Sequence, residues 1–209
     1  MKWQTPKQWQ SQKINGFYAV LDQPSAHLCL QLIAAAPVVQ VRKKPATYAE
    51  RFEIAAIART VTARANRLLV INDDIDLAHQ VGADGVHLGQ DDVPLTVARH
   101  RTDLMIGIST HNLEQLDQAV AHGADYIAYG PVFSTTTKTN ADPVVGIEGL
   151  AEAAKRVGDI PLVAVGGITE ATAAAVASTG VNAACVISAV NKAKNPRAAA
   201  RLMASFWRR

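Results

Sequence analysis

Gly82-Ala83-Asp84-Gly85-Val86-His87-Leu88-Gly89 and Gly123-Ala124-Asp125-Tyr126-Ile127-Ala128-Tyr129-Gly130 are two copies of one phrase, and a looser third follows in Gly180-Val181-Asn182-Ala183. Each reads as a glycine closing a helix, where a left-handed backbone suits a residue without Cβ, then a tight turn, then an apolar strand. A phrase recurring in this order marks a chain that alternates helix and strand. Outward from it, further short apolar runs appear at Phe17-Tyr18-Ala19-Val20-Leu21, Val38-Val39-Gln40-Val41, Leu68-Leu69-Val70-Ile71, Met105-Ile106-Gly107-Ile108, Leu162-Val163-Ala164-Val165 and Ala184-Cys185-Val186-Ile187. Together with Gly85–Leu88 and Tyr126–Tyr129 they make about eight strands, apolar at nearly every position as parallel strands buried on both faces are.

Between the runs, Leu113, Leu116 and Val120 fall at helical spacing, and the segment from Leu95 to His100 does so more weakly. Eight strands alternating with helices predict a closed (β/α)₈ TIM barrel rather than an open doubly wound sheet, and no GxGxxG turn follows the first strand. A length of 209 residues with 49% hydrophobic content suits one domain. Residues 15–209 are expected to form the catalytic barrel, and residues 1–14, polar with two tryptophans, an N-terminal extension over the barrel bottom.

The chain has no apolar run of membrane-spanning length, and its first residues lack the apolar stretch of a signal peptide, so a cytoplasmic protein without membrane contact is expected. The formal charge of +3 comes from dispersed basic residues, which argues against nucleic acid and for small anionic ligands. Cys29 and Cys185 lie in apolar surroundings without metal-ligand spacing and read as buried, reduced thiols. A homodimer stays open.

In such a barrel the active site lies at the C-terminal ends of the strands. The polar residues found there are Gln40, Arg42 and Lys44; Asn72 and Asp73; Gln90, Asp91 and Asp92; Ser109, Thr110 and His111; Ser134 to Lys138; Gly166-Gly167; and Ser188. Asp73 and Asp92, on adjacent loops and without a histidine or cysteine cluster, suit a hard cation such as Mg²⁺ that shares its shell with substrate oxygens. The bland alternative for each is an N-cap of the following helix. Arg42, Lys44 and Lys138 supply cations for a diphosphate, and Thr135, Thr136 and Thr137 supply hydroxyls. Gly167 and Ser188 follow the seventh and eighth strands, where barrels bind phosphate, and Gly166-Gly167 is expected to admit a ligand close to the backbone, the bland alternative being a simple tight βα turn. Two phosphorylated groups bound together are the implication. His87, inside an apolar strand, reads as a satisfied barrel histidine, whereas His111 is placed to face a ligand.

These residues resemble the thiamine phosphate synthase family over roughly residues 17 to 190. The resemblance rests on Gln40-Val41-Arg42-Lys43-Lys44, Ile71-Asn72-Asp73, Gly85 to Asp92, Gly107-Ile108-Ser109-Thr110-His111, Gly130-Pro131-Val132-Phe133 with Thr135, Thr137 and Lys138, and Val165-Gly166-Gly167-Ile168. It implies a barrel enzyme that joins hydroxymethylpyrimidine diphosphate to hydroxyethylthiazole phosphate, releasing pyrophosphate. By that resemblance Asp73 and Asp92 ligate Mg²⁺, and Gln40, Arg42, Lys44, Asn72, Ser109 and Lys138 hold the pyrimidine diphosphate. Thr135, Thr137, Gly167, Ile187 and Ser188 position the thiazole phosphate. Arg42, Ser109 and Lys138 carry the catalytic work. The chain departs from the family pattern at Ser134, where proline is usual, at Lys43, where an acidic residue is usual, and in Ala34-Ala35-Ala36 ahead of the second strand.

The implied chemistry is ionisation of the pyrimidine-methyl diphosphate followed by capture of the cation by a neutral thiazole nitrogen, which needs charge stabilisation and proximity but no general base. The alternatives are a thiazole tautomerase of the same superfamily, which needs an acid–base residue such as His111 but no diphosphate site, and a non-catalytic protein binding thiamine precursors.

Overall fold

The computed structural model describes residues 14–135 and 142–207. Eight strands, β1 (Gly16–Leu21), β2 (Val38–Val41), β3 (Leu68–Asn72), β4 (Gly85–Leu88), β5 (Met105–Thr110), β6 (Tyr126–Tyr129), β7 (Leu162–Val165) and β8 (Ala183–Cys185), pair in parallel with their sequence neighbours, and β8 closes on β1. The helices are α1 (Ala26–Leu32), α2 (Tyr48–Arg64), α3 (Ile75–Gln80), α4 (Leu95–Arg101), α5 (Leu113–Ala121), α6 (Gly146–Arg156), α7 (Glu170–Ser178), α8 (Ser188–Asn191) and α9 (Pro196–Ser205). This is the expected (β/α)₈ barrel. The eighth run ends sooner than its apolarity suggested: β8 stops at Cys185, and Ile187 caps the four-residue α8 at the barrel mouth.

Alternation along the strands divides the core in two. Phe17, Ala19, Leu21, Val39, Val41, Leu69, Ile71, Val86, Leu88, Ile106, Ile108, Ile127 and Leu162 pack outward against the helices. Tyr18, Val20, Val38, Leu68, Val70, Met105, Tyr126, Ala128, Val163 and Cys185 fill the barrel interior together with Ile14, which is 1% exposed. Inward residues nearer the strands' C-terminal ends are polar: Gln40, Asn72, His87 and Ser109. Hydrophobic burial thus builds the lower barrel, and the same alternation places the polar side chains at its mouth.

Interior packing also explains a small residue. A Cβ built on Gly107 would lie 2.0 Å from the Tyr126 ring, whose side chain fills the space opposite β5. Gly107→Ala is expected to lower stability by about 1–3 kcal/mol, the usual cost of overpacking a tight core, as read from the urea unfolding midpoint; a midpoint unchanged from the parent would show that the ring can move aside.

The repeated phrase has the structure predicted for it, with Gly82, Gly123 and Gly180 at positive φ between helix and strand. Its third residue has a function that the pattern did not reveal. Asp84 Oδ2 accepts from Leu69 N (2.8 Å), Asp125 Oδ2 from Ile106 N (2.7 Å) and Asn182 Oδ1 from Leu162 N (2.8 Å). Each side chain thereby satisfies an N–H at the start of the preceding strand, where the barrel's hydrogen-bond ladder begins. Arg59 from α2 and Arg99 from α4 pair with Asp84 and Asp125, tying helix to strand.

Candidate active site

The barrel mouth opens into a cavity of about 420 Å³. At its floor four side chains form a hydrogen-bonded row: Tyr18 Oη to Tyr126 Oη (2.8 Å), Tyr126 Oη to His87 Nδ1 (2.9 Å) and His87 Nε2 to Ser109 Oγ (2.8 Å). The Tyr126 and His87 rings stack at 5.5 Å. Gln40 Nε2 donates to Asn72 Oδ1 at 3.4 Å on the opposite wall. Gln90 Nε2 donates to the Ser109 carbonyl at 2.6 Å, fixing the end of β5.

The rim is charged. Lys44 pairs with the Asp73 carboxylate. Burial raises the Asp73 carboxyl above its ordinary value, Lys44 opposes this, and the adjacent Asp92 raises it further. Asp73 sits at φ 64°, a left-handed conformation that turns its side chain into the mouth and that Asp and Asn tolerate better than most residues. Asp92 Oδ2 accepts from Gly89 N at 2.7 Å. Neither aspartate is a helix cap: Asp74 caps α3 by accepting from Leu77 N, and Pro94 precedes α4 without a side-chain cap. The bland reading of both is therefore excluded. Arg42, Lys44, Asn72 and Asp73 also wall an adjoining cleft of about 670 Å³, in which Arg51 pairs with Asp74 at 3.3 Å, while its Lys43 reaches Glu50 at 3.5 Å outside the wall.

Of the residues singled out in the sequence, Gln40, Arg42, Lys44, Asn72, Asp73, Asp92, Ser109, Thr135 and Ile187 come together around the one cavity. Gly167 and Ser188 are not in its wall. A Cβ on Gly167 would lie 2.5 Å from the Ser134 carbonyl oxygen and 2.7 Å from Phe133 Cβ, and one on Gly166 2.5 Å from Pro131 Cβ. The glycine pair, at φ 98° and 65°, is thus required by the chain's own loop after β6, where the sequence suggested close approach of a ligand; Gly166 still lines the cavity. Ser188 is the first residue of α8. Thr136, Thr137 and Lys138 lie outside the described residues. His111 lines the cavity, with Nδ1 2.6 Å from the Gly130 carbonyl and Nε2 3.3 Å from Asp142 Oδ2. The sequence reading missed Tyr18 and Tyr126; the signal available was a hydroxyl-bearing aromatic inside each of two otherwise apolar runs.

The sequence matches the family described as thiamine monophosphate synthase over residues 18–190. It is 44% identical over 171 residues to the thiamine-phosphate synthase of Chloroflexus aurantiacus, covering 81% of this chain and 79% of that one. The corresponding enzyme of Haloarcula marismortui is 43% identical over 173 residues, covering 80% and 82%. The chain belongs to the thiamine monophosphate synthase family. The thiamine phosphate pyrophosphorylase structure from Pyrococcus furiosus superposes with a TM-score of 0.85 at 35% identity, over 93% of this chain and 96% of that one. A 3-hexulose-6-phosphate synthase at 19% identity and TM-score 0.67 shares the fold.

A family whose members form thiamine phosphate needs a place for phosphorylated substrates, and the donor set at this mouth fits a divalent cation bound with them. Two carboxylates, one raised by burial and by the other, would be stabilised by a cation shared with substrate oxygens, and Lys44 already supplies one charge. Among the described residues no group of three or more His, Cys, Asp or Glu could hold a metal. Two carboxylates leave most of a cation's shell to substrate oxygens and water.

His87 in this family member is held neutral. Burial pushes its pKa from 6.5 to about 4, with the Arg42 cation adding to the fall and Asp92 opposing it. The unfolded chain binds a proton between those values that the folded one refuses, so stability is full above about pH 6.5 and declines as pH falls toward 4, by about 3 kcal/mol from this group. Urea unfolding from pH 7 to 4.5 is expected to show a shallower loss in His87→Gln, by about one proton of pH dependence; equal slopes in the two proteins would rule out the assignment.

Proposed function

We propose that this chain condenses hydroxymethylpyrimidine diphosphate with hydroxyethylthiazole phosphate to give thiamine phosphate and pyrophosphate. The observation that carries the reading is the gathering of Arg42, Lys44, Asp73 and Asp92 on the rim of a cavity whose floor is neutral and hydrogen-bonding. Such a site separates the two tasks that the substrates pose. Neutral polar groups, Gln40, Asn72 and Ser109, face a heterocycle, while the cations and carboxylates face phosphate.

Mg²⁺ held between Asp73 and Asp92 would neutralise charge on the leaving pyrophosphate. Arg42 and Lys44 add fixed positive charge on the same side, and Lys138 is assigned there by family resemblance. Lys44, paired with Asp73 in the ligand-free protein, would be released toward phosphate oxygen once a cation took its place beside the carboxylate. Thr135 and Ile187 at the cavity wall would bound the thiazole, with Thr137, Gly167 and Ser188 assigned to its phosphate by resemblance. The reaction proceeds by departure of pyrophosphate and attack of the thiazole nitrogen on the pyrimidine methylene cation. Its requirements are preorganised charge and alignment, and no side chain has to remove a proton.

The same reading places the protein in the cytoplasm, where free, buried thiols such as Cys29 and Cys185 stay reduced. Among the described residues no helix is long and apolar enough to cross a membrane. A homodimer would cover exposed apolar side chains such as Leu30 on α1 and Leu202 on the neighbouring α9.

The test is direct: purified protein is mixed with both substrates, with Mg²⁺ or with chelator, and thiamine phosphate is followed by oxidation to its fluorescent product. Metal-dependent product is expected. Binding of both compounds without product would overturn the reading and leave a carrier of thiamine precursors.

A further inference from the structure

The row Tyr18–Tyr126–His87–Ser109 has a direction, and the direction decides what Ser109 offers a ligand. Three contacts join the four side chains, and at pH 7.5, above the ordinary imidazole value of about 6.5, they hold four protons, one on each hydroxyl and one on the imidazole. One O–H is therefore left over. If Ser109 donates to His87 and the row runs inward, the spare proton belongs to Tyr18 or Tyr126. Tyr18 is 3% exposed and packs among Val20, Val38 and Cys185, and Tyr126 is 1% exposed in the same interior cluster. Among the described residues neither has a further hydrogen-bond partner. Both touch the cavity only at its floor, so a donor left over on either is far less open to water or ligand than one on the half-buried Ser109, and if unmatched it costs about 1–3 kcal/mol. If the row runs outward, the spare proton is on Ser109, at the cavity wall, where water or ligand accepts it.

We infer that Tyr18 donates to Tyr126, Tyr126 to His87 Nδ1, and His87 Nε2–H to Ser109 Oγ, so that Tyr18, Tyr126 and His87 are positioning residues that make Ser109 a hydrogen-bond donor toward the bound substrate. The proposal rests on the synthase reading for the identity of that substrate, the pyrimidine diphosphate, whose ring nitrogens and diphosphate oxygens are acceptors. It also explains why a tyrosine pair occupies the barrel floor, where aliphatic side chains would fill the space without polar atoms to satisfy.

The tautomer can be read without catalysis. In ligand-free protein labelled with ¹⁵N-histidine at pH 7.5, long-range ¹H–¹⁵N spectra distinguish a ring protonated at Nε2 from one protonated at Nδ1, and the His87 signals are those missing from His87→Gln. A neutral ring protonated at Nε2 is expected. A ring protonated at Nδ1, or an even mixture, overturns the proposal. In Tyr126→Phe, which keeps the ring and removes the donor to Nδ1, the His87 spectrum is expected to shift toward a mixture and KM for the pyrimidine diphosphate to rise about three- to tenfold, the worth of one oriented hydrogen bond. An unchanged spectrum and KM in that variant also overturns it. Absence of thiamine phosphate from the unaltered protein defeats the functional reading instead, and the tautomer measurement stands apart from it.

Discussion

Replacing Asp73 by asparagine is expected to lower thiamine phosphate formation by about 10²–10³-fold while leaving the melting temperature of the metal-free protein unchanged or higher. The loss follows from the role proposed for the carboxylate: it would hold the cation that takes up charge on departing pyrophosphate, and removal of one preorganised electrostatic contact of this kind costs about that factor. The retained stability follows from two local facts. Asn tolerates the positive φ of 64° as Asp does, so the backbone has no reason to move. The Asp73 carboxyl is raised by burial and by Asp92 despite its pairing with Lys44, so its negative charge opposes folding. Since the folded-state value lies above the unfolded one, stability from this group increases as pH falls through the carboxylate range, and that gain should vanish in the variant. Initial rates across a Mg²⁺ titration, with parallel melts, provide the check. Activity within threefold of the parent at saturating Mg²⁺ would remove Asp73 from the metal site.

The second large effect concerns stability. Asp125→Ala is expected to destabilise the protein by about 3 kcal/mol, equivalent to a fall of about 6–12 °C in Tm for a chain of this length. Asp125 is 6% exposed, accepts from Ile106 N at 2.7 Å and pairs with Arg99. Alanine leaves both the strand N–H and the partly buried guanidinium without that partner, and orphaned groups cost more than the pair was worth. Asp125→Asn should lose much less, because Asn182 already performs the same service for Leu162 N at 2.8 Å. Differential scanning calorimetry of the three proteins decides the matter: an alanine variant melting within 2 °C of the parent would mean that water or a neighbour replaces the carboxylate.

Most of the barrel can be traced in the chain because strands buried on both faces are written as continuous apolar runs, and seven of the eight runs are strands with nearly the bounds their apolarity suggests. The exception, β8, is apolar beyond Cys185 because Val186 is buried and Ile187 lines the cavity, and apolarity alone cannot separate a strand end from a wall of the mouth. Asp73 and Asp92 could be listed as rim acids, but so could Asp74, which caps a helix; the chain does not say which of two adjacent aspartates turns inward until the backbone of Asp73 adopts positive φ. Gly166 and Gly167 show the same limit from the other side, since a glycine signals close approach without naming what approaches.

Residue order alone therefore determined the architecture, the end of the barrel that carries the chemistry, and the kinds of group collected there. Those follow from hydrophobic periodicity and from the rule that strand C-termini share one rim. Tertiary structure decided which of those groups meet. Tyr18 and Tyr126 are 108 residues apart, Tyr126 and His87 39, and His87 and Ser109 22, yet they form one row. A strand buried on both faces carries no sign of which residues point inward, and only closure of β8 on β1 and the register of each pair set which inward side chains share a level.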